Sequence, residues 1–299
     1  MATATLAATP AERLRTYGSF VRFEHTLFSL PLILAGVFSV PGPPLSPARW
    51  ALIAVAAVGA RTAAMALNRL IDRRLDAENP RTRGRELPSG RMRSGEAWGL
   101  LAVSSAAYLA ACAALGPWFL RFAAIPLVVF TAYPYLKRFT PLCHLGVGAA
   151  LALAPLAGFA AAHPDLAHSA TAWWLAAFAF AWVSGFDIIY ATLDEEFDRS
   201  HHVRSAVETL GRKRALGVAG LLHALAFAAL VEAALVLMRA AHAGWAWPAV
   251  GAALAIAGAL LYLEQRWAEN VDLAFFKVNV FVGLAVLAMV LTARAAGGF

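Results

Sequence analysis

The chain reads as an all-α, polytopic membrane protein, and three observations carry that reading. Its 299 residues are 61% hydrophobic and only 14% charged, against about 25% charged in an ordinary soluble domain. Nine apolar stretches approach the length needed to cross hydrocarbon, which is about 20 residues. Positive charge gathers on alternate loops, the pattern that orients membrane proteins.

The stretches lie at 20–40, 51–71, 97–116, 118–136, 143–163, 171–191, 215–238, 245–264 and 273–294. Pro41-Gly42-Pro43-Pro44 separates the first from the second, and the turn signal Gly116-Pro117 separates the third from the fourth. With the N-terminus inside, the cytoplasmic side receives Arg13, Arg15, Arg22, the arginines from Arg69 to Arg93, Lys137 and Arg138. Arg199, Arg204, Arg212, Lys213, Arg214, Arg266 and Lys277 join them, while the other side receives only Arg49, Arg121, Arg239 and Arg294. This asymmetry predicts a multi-pass protein of the inner (plasma) membrane with its polar site facing the cytoplasm. The net charge of +7 follows from that topology plus an anion site, so nothing calls for nucleic acid. No cleaved secretory signal is legible in the first residues. Cys112 and Cys143 lie in apolar runs and read as small buried hydrophobes, not as a disulfide or thiolate ligands. No linker divides the chain, so 1–299 reads as a single domain with a weak internal repeat.

Two polar motifs stand at helix ends about 120 residues apart. Asn68-x3-Asp72-x3-Asp76 closes the second stretch. Tyr190-x3-Asp194-x3-Asp198 closes the sixth, with Asp187 one turn earlier. Residues four apart share a helix face, about 6 Å from one another, so each motif presents a column of oxygens. Like charges this close call for a cation between them. An all-oxygen donor set suits Mg²⁺, which keeps waters and substrate phosphates among its ligands, and disfavours zinc or copper. The polyanion that fits is a diphosphate. A solvated helix end carrying aspartates is the plain alternative, and its recurrence at two matching ends weighs against it.

The flanking polar residues extend the site. Arg81 and Arg85 offer planar multi-donor contacts to phosphate, although a cytoplasmic loop collects arginine in any case. Lys137 and Arg138 follow Tyr133-Pro134-Tyr135, a combination that interfacial belts also show. Asp187 lies deeper, where a charge costs about 2.5–3.5 kcal/mol and so faces a cavity or a partner. Arg61, seven residues before Asn68 on the same face, is the expected partner. Together they read as an interhelical ion pair, or as the inner end of the site, contacting the polar head of a second substrate. His25 falls near the start of the first stretch, beside the site. His144, His163, His168, His223 and His242 show no ligand spacing and read as structural, and Glu232 has no assigned role. Some Phe and Trp rings are expected to shield a carbocation through their faces.

These residues resemble the UbiA superfamily of intramembrane prenyltransferases, over nearly the whole chain. The resemblance rests on Asn68-Arg69-x2-Asp72-x3-Asp76-x2-Asn79-Pro80-Arg81-Thr82, on Tyr133-Pro134-Tyr135-x-Lys137-Arg138, and on Asp187-x2-Tyr190-x3-Asp194-x3-Asp198. It implies nine helices around a central cavity, caps holding a diphosphate over Mg²⁺, and a lateral opening to lipid for an isoprenoid tail. By the same resemblance, Asn68, Asp72, Asp76, Asp194 and Asp198 form the metal and diphosphate shell. Arg81, Arg85, Tyr133, Lys137 and Tyr190 bind the donor substrate, and Arg61 and Asp187 lie near an aromatic acceptor. The segments from Arg22 to Pro31 and from Gly185 to Tyr190 are most similar to the 4-hydroxybenzoate polyprenyltransferase-like branch. The implied reaction moves a polyprenyl group from its diphosphate to 4-hydroxybenzoate or a related hydroxy-aromatic acid, in ubiquinone or menaquinone synthesis. Two rivals fit less well. An alcohol phosphotransferase would carry D-G-x2-A-R-x8-G-x3-D-x3-D, which is missing. A metal- or anion-coupled transporter would place its site on discontinuous helices at mid-membrane, whereas these aspartates sit at the surface.

Overall fold

The computed structural model describes residues 9–22, 26–163, 167–239, 243–268 and 274–297, and among these the regular structure is wholly helical. In chain order come α1 (Pro10–Phe20), α2 (Thr26–Phe38), α3 (Pro47–Ile71), α4 (Arg73–Glu78) and α5 (Ser94–Leu115). Next are α6 (Pro117–Phe122), α7 (Ala124–Leu136), α8 (Cys143–Ala162), α9 (Ala170–Ala191) and α10 (Glu195–Ser200). The chain continues through α11 (Ala206–Leu210), α12 (Arg212–Met238), α13 (Ala246–Arg266) and α14 (Ala274–Ala296).

Local signals set the helix ends. Ser46 caps α3, its hydroxyl accepting from the Arg49 N–H at 3.2 Å, with Pro47 in the first turn. Glu96 accepts from the Arg93 N–H at 2.7 Å and fixes the start of α5. Gly116, at φ +141°, breaks α5 from α6, in a backbone region that only glycine enters freely. Among the described residues, eight helical stretches are long and apolar enough to cross a membrane, with α6 and α7 counted as one, Pro117–Leu136. The ninth apolar segment, α2, has 13 residues, short of the ~20 that span hydrocarbon. The stretch expected from residue 20 is therefore two pieces. Phe20 closes α1, fully buried beside Ala66, Leu87, Met92 and Ala97, and α2 begins at Thr26.

The helices meet through backbone. A Cβ added to Gly148 of α8 would stand 2.4 Å from the Phe180 carbonyl oxygen of α9. Between α2 and α8 the contact is reciprocal: a Cβ on Gly36 would meet the Pro155 carbonyl at 2.0 Å, and one on Gly158 the Ile33 carbonyl at 2.0 Å. Lipid gives helices no solvent-exclusion force between them, so close approach at small residues supplies the packing. The most buried span, α9, lies between α8 and α12, while α3 packs on α5 and α7, and α13 on α14.

An apolar cavity of about 720 Å³ opens inside the bundle, lined from α2, α3, α5, α6, α7, α8, α9 and α14. The expected central cavity is thus present, but two of the crossing helices do not reach it. α12 and α13 stand behind α9 and α14. The buried Trp182 of α9 joins these layers. Its indole N–H is shared between Asn279 Oδ1 at 3.1 Å and Glu264 Oε2 at 3.3 Å.

Candidate active site

Each aspartate motif lies on a broken helix, where the spacing alone predicts a continuous column. α3 stops at Ile71, Asp72 is the joint at φ −92° and ψ 2°, and α4 carries Asp76. α9 stops at Ala191, a 3-10 turn covers Thr192–Asp194, and α10 carries Asp198. Asp194 is again the joint, at φ −109° and ψ 9°. The two motifs are built alike, with one aspartate at the break and the next in a six-residue helix. This matches the weak repeat in the sequence.

A polar chamber of about 210 Å³ separates them. Every predicted site residue except Arg61 lines it: Asn68, Asp72, Asp76, Arg81, Arg85, Tyr133, Lys137, Asp187, Tyr190, Asp194 and Asp198. Three of the motif carboxylates already hold cations. Lys137 Nζ donates to Asp72 Oδ2 at 2.6 Å, and Arg138 Nη2 reaches Asp72 Oδ1 at 3.3 Å. Arg85 Nη1 donates to Asp76 Oδ1 at 2.7 Å. Arg81 grips both oxygens of Asp194, and Asn79 Nδ2 adds a hydrogen bond of 2.8 Å. The Arg81 guanidinium also lies 4.9 Å over the Tyr190 ring and donates to its hydroxyl at 3.0 Å. The fourth carboxylate, Asp198, lines the same chamber beside Ser205. Burial pushes the Asp72 carboxyl above the ordinary carboxylate range, Lys137 and Arg138 pull it back part of the way, and neighbouring Asp76 adds to the rise.

Among the described residues, no three acidic, His or Cys side chains converge closely enough to hold an ion as they stand. The donor chemistry nevertheless fits Mg²⁺. The motif donors are all oxygens or an amide facing one chamber, and Asp76 Oδ2 is buried with no hydrogen-bond partner. Arg69 Nη1 stands 4.0 Å from that oxygen. A hard cation with several carboxylate and water ligands matches such a set.

Asp187 and Arg61 do not pair. Asp187 Oδ2 lies 2.7 Å from His144 Nδ1, whereas Arg61 Nη2 donates to the Arg22 carbonyl at 3.3 Å. The reason is helix adjacency: α9 packs directly on α8, while α3 faces it across the cavity. Both residues line the apolar chamber and so stand toward the inner end as separate groups. His144, read from spacing as structural, belongs to the site, and its one sequence signal was its place seven residues after Lys137. Asn79 was likewise missed as a partner of Asp194. His25 lies outside the described residues.

Six residues line both chambers: Asn68, Arg85, Tyr133, Val147, Asp187 and Tyr190. They form the passage from the charged space to the apolar one. Beyond it stand Tyr108, Phe119, Phe130 and Phe186, with Arg22, Arg61 and Arg69 also in the wall.

Known proteins share this architecture. Residues 29–294 match the UbiA prenyltransferase family. A Xanthomonas campestris pv. campestris protein named 4-hydroxybenzoate octaprenyltransferase is 31% identical over 288 residues, spanning 94% of this chain and 92% of that protein. Its namesake in Vibrio parahaemolyticus is 28% identical over 228 residues, 74% of this chain and 78% of its own. The apo structure of a UbiA homologue from Aeropyrum pernix K1 superposes with a TM-score of 0.79 at 33% identity, covering 90% of this chain and 97% of that one. A UbiA homologue from Archaeoglobus fulgidus bound to GPP and Mg²⁺ has the same fold, with a TM-score of 0.69 at 18% identity, covering 95% and 100%. The family match runs through both broken-helix motifs and the two chambers they join, and this chain belongs to the UbiA prenyltransferase family.

Proposed function

We propose that the protein transfers a polyprenyl group from polyprenyl diphosphate to a ring carbon of 4-hydroxybenzoate or a related hydroxy-aromatic acid, with Mg²⁺ as cofactor. The observation that carries this reading is the meeting of two unlike chambers at six shared residues. A polyprenyl diphosphate has both needs in one molecule, a charged head and an apolar tail, and its allylic carbon falls at the passage. The relatives named 4-hydroxybenzoate octaprenyltransferase support the acceptor class. GPP and Mg²⁺ in the Archaeoglobus homologue support the donor and the metal. Arg22, Arg61 and Arg69 in the apolar chamber's wall suit an anionic acceptor. A prenylated hydroxy-aromatic acid is a precursor of ubiquinone or menaquinone. The charge asymmetry of the loops supports a polar chamber facing the cytoplasm from the inner membrane.

Asp72, Asp76, Asp194 and Asp198, with Asn68, would hold Mg²⁺, which supplies positive charge to the departing diphosphate. Arg81, Arg85 and Lys137 turn from their aspartates to the diphosphate oxygens, placing donors where negative charge develops. Tyr133 and Tyr190 hold the donor's head at the passage. The allylic C–O bond breaks with its electron pair going to the diphosphate. Ring faces along the apolar wall stabilise the cation, and the scarcity of water there protects it from hydrolysis. The acceptor ring carbon then attacks, and Asp187 takes the displaced proton.

The test is Asp72→Asn and Asp194→Asn in membranes supplied with labelled prenyl diphosphate. The acceptors offered are 4-hydroxybenzoate, 1,4-dihydroxy-6-naphthoate and homogentisate, with products identified by mass. Each variant is expected to lose about 10²–10³-fold in rate. Wild-type turnover in both would sink the assignment, and anion flux in proteoliposomes without prenylated product would favour a transporter.

A further inference from the structure

We infer that His144 is the positioning residue for Asp187, aiming that carboxylate at the acceptor from the wall of the passage; this rests on the prenyl-transfer reading above. His144 is the second residue of α8 and is 4% exposed. It makes two hydrogen bonds, to Asp187 Oδ2 at 2.7 Å through Nδ1 and to the Ala206 backbone N–H at 3.2 Å through Nε2. A backbone amide only donates, so Nε2 accepts and the ring proton resides on Nδ1, directed at Asp187. A ring protonated on both nitrogens would set N–H against N–H. Among the described residues nothing is hydrogen-bonded to Asp187 Oδ1, and Asp187 lines both chambers. One oxygen is thus anchored and the other is left for a substrate.

Ala206 is itself held. Ser205 caps α11 by accepting from the Glu208 N–H at 3.1 Å. The Arg204 N–H donates to the Lys137 carbonyl at 2.7 Å. The Val203 N–H donates to the Asp198 carbonyl at 2.9 Å, so the loop that leaves Asp198 is tied through Ala206 and His144 to Asp187. The loop after the second aspartate motif sets the acceptor-side carboxylate as well as the diphosphate side.

The chemistry balances without a further reactant. The C–O bond breaks with its electron pair leaving on diphosphate, and a π pair of the acceptor ring then forms the new C–C bond to the allylic carbon. The ring C–H pair then restores aromaticity, and its proton passes to Asp187 Oδ1. His144 touches no reacting atom. By donating to Oδ2 it fixes the orientation of the carboxylate and the ring tautomer, the part an orienting partner plays beside a general base.

The experiment uses full-length protein in nanodiscs with Mg²⁺, a polyprenyl diphosphate and 4-hydroxybenzoate. His144→Ala is expected to lower kcat about 100-fold while leaving the KM for the diphosphate within about twofold. His144→Gln, whose amide accepts from Ala206 and donates to Asp187, restores most of that rate. In an Asp187→Asn background, His144→Ala costs less than about twofold more, because the two act as one unit. If alanine lowers the melting temperature, His144→Asn, which fills the site but is too short to span both partners, is compared with Gln in its place. Equal losses in both backgrounds, or no rescue by Gln at an unchanged melting temperature, would overturn the inference while leaving the function intact. A wild-type protein that prenylates no hydroxy-aromatic acid overturns the functional reading, and the role of His144 with it.

Discussion

Arg81 does three things with one side chain. It grips both oxygens of Asp194, donates to the Tyr190 hydroxyl and covers the Tyr190 ring. A lysine keeps the charge but lacks the planar fork. Arg81→Lys is therefore expected to raise the KM for polyprenyl diphosphate about 10-fold, and Arg81→Ala about 100-fold, with the acceptor KM unchanged. Initial rates at varied donor concentration decide it, and a lysine variant with wild-type KM would rule out a role for the fork. The aspartates were legible in the sequence because a charged residue four positions from another on an apolar helix needs a chemical reason. The partner of Asp187 was not. Arg61 shares a face with Asn68, but pairing depends on which helix lies next to α9, and α8 takes that place with His144. Periodicity along one helix carries no information about its neighbours.

Helix packing here depends on backbone touching backbone. At Gly158 of α8, any Cβ collides with the Ile33 carbonyl, and carbonyls cannot move aside without shifting α2. Gly158→Ala is expected to cost about 1–3 kcal/mol, the usual range for overpacking, read as a lower melting temperature in detergent. Gly217→Ala, where a Cβ meets nothing within 4 Å, serves as the neutral control. Trp182 poses the opposite problem. Trp182→Phe removes the indole donor shared by Asn279 and the fully buried Glu264. Removing this buried hydrogen bond costs about 1 kcal/mol, and the same melting measurement checks it. The apolar runs located nearly every crossing helix, since composition and length decide that. They could not show that α2 is short, or that α3 and α9 break at an aspartate. At both breaks the aspartate is held by tertiary ion pairs, which one helix's sequence does not reveal.

The fold as a whole is expected to keep its charge balance without a bound metal. Lys137, Arg138, Arg85 and Arg81 already neutralise Asp72, Asp76 and Asp194. Chelation with EDTA is accordingly expected to abolish prenyl transfer yet move the substrate-free melting temperature by less than about 2 °C. A large drop would mean that the metal is part of the fold. The overall arrangement was only partly legible. Nine apolar segments predicted a helical membrane protein and the family resemblance a central cavity, but which helices line it is a matter of three-dimensional order, and α12 and α13 do not. The joining of a charged space to a greasy one also governs traffic. A diphosphate is stable only where water and cations are near, and a prenylated ring only where hydrocarbon is. The protein thus acts as a phase-transfer catalyst set at the boundary it serves.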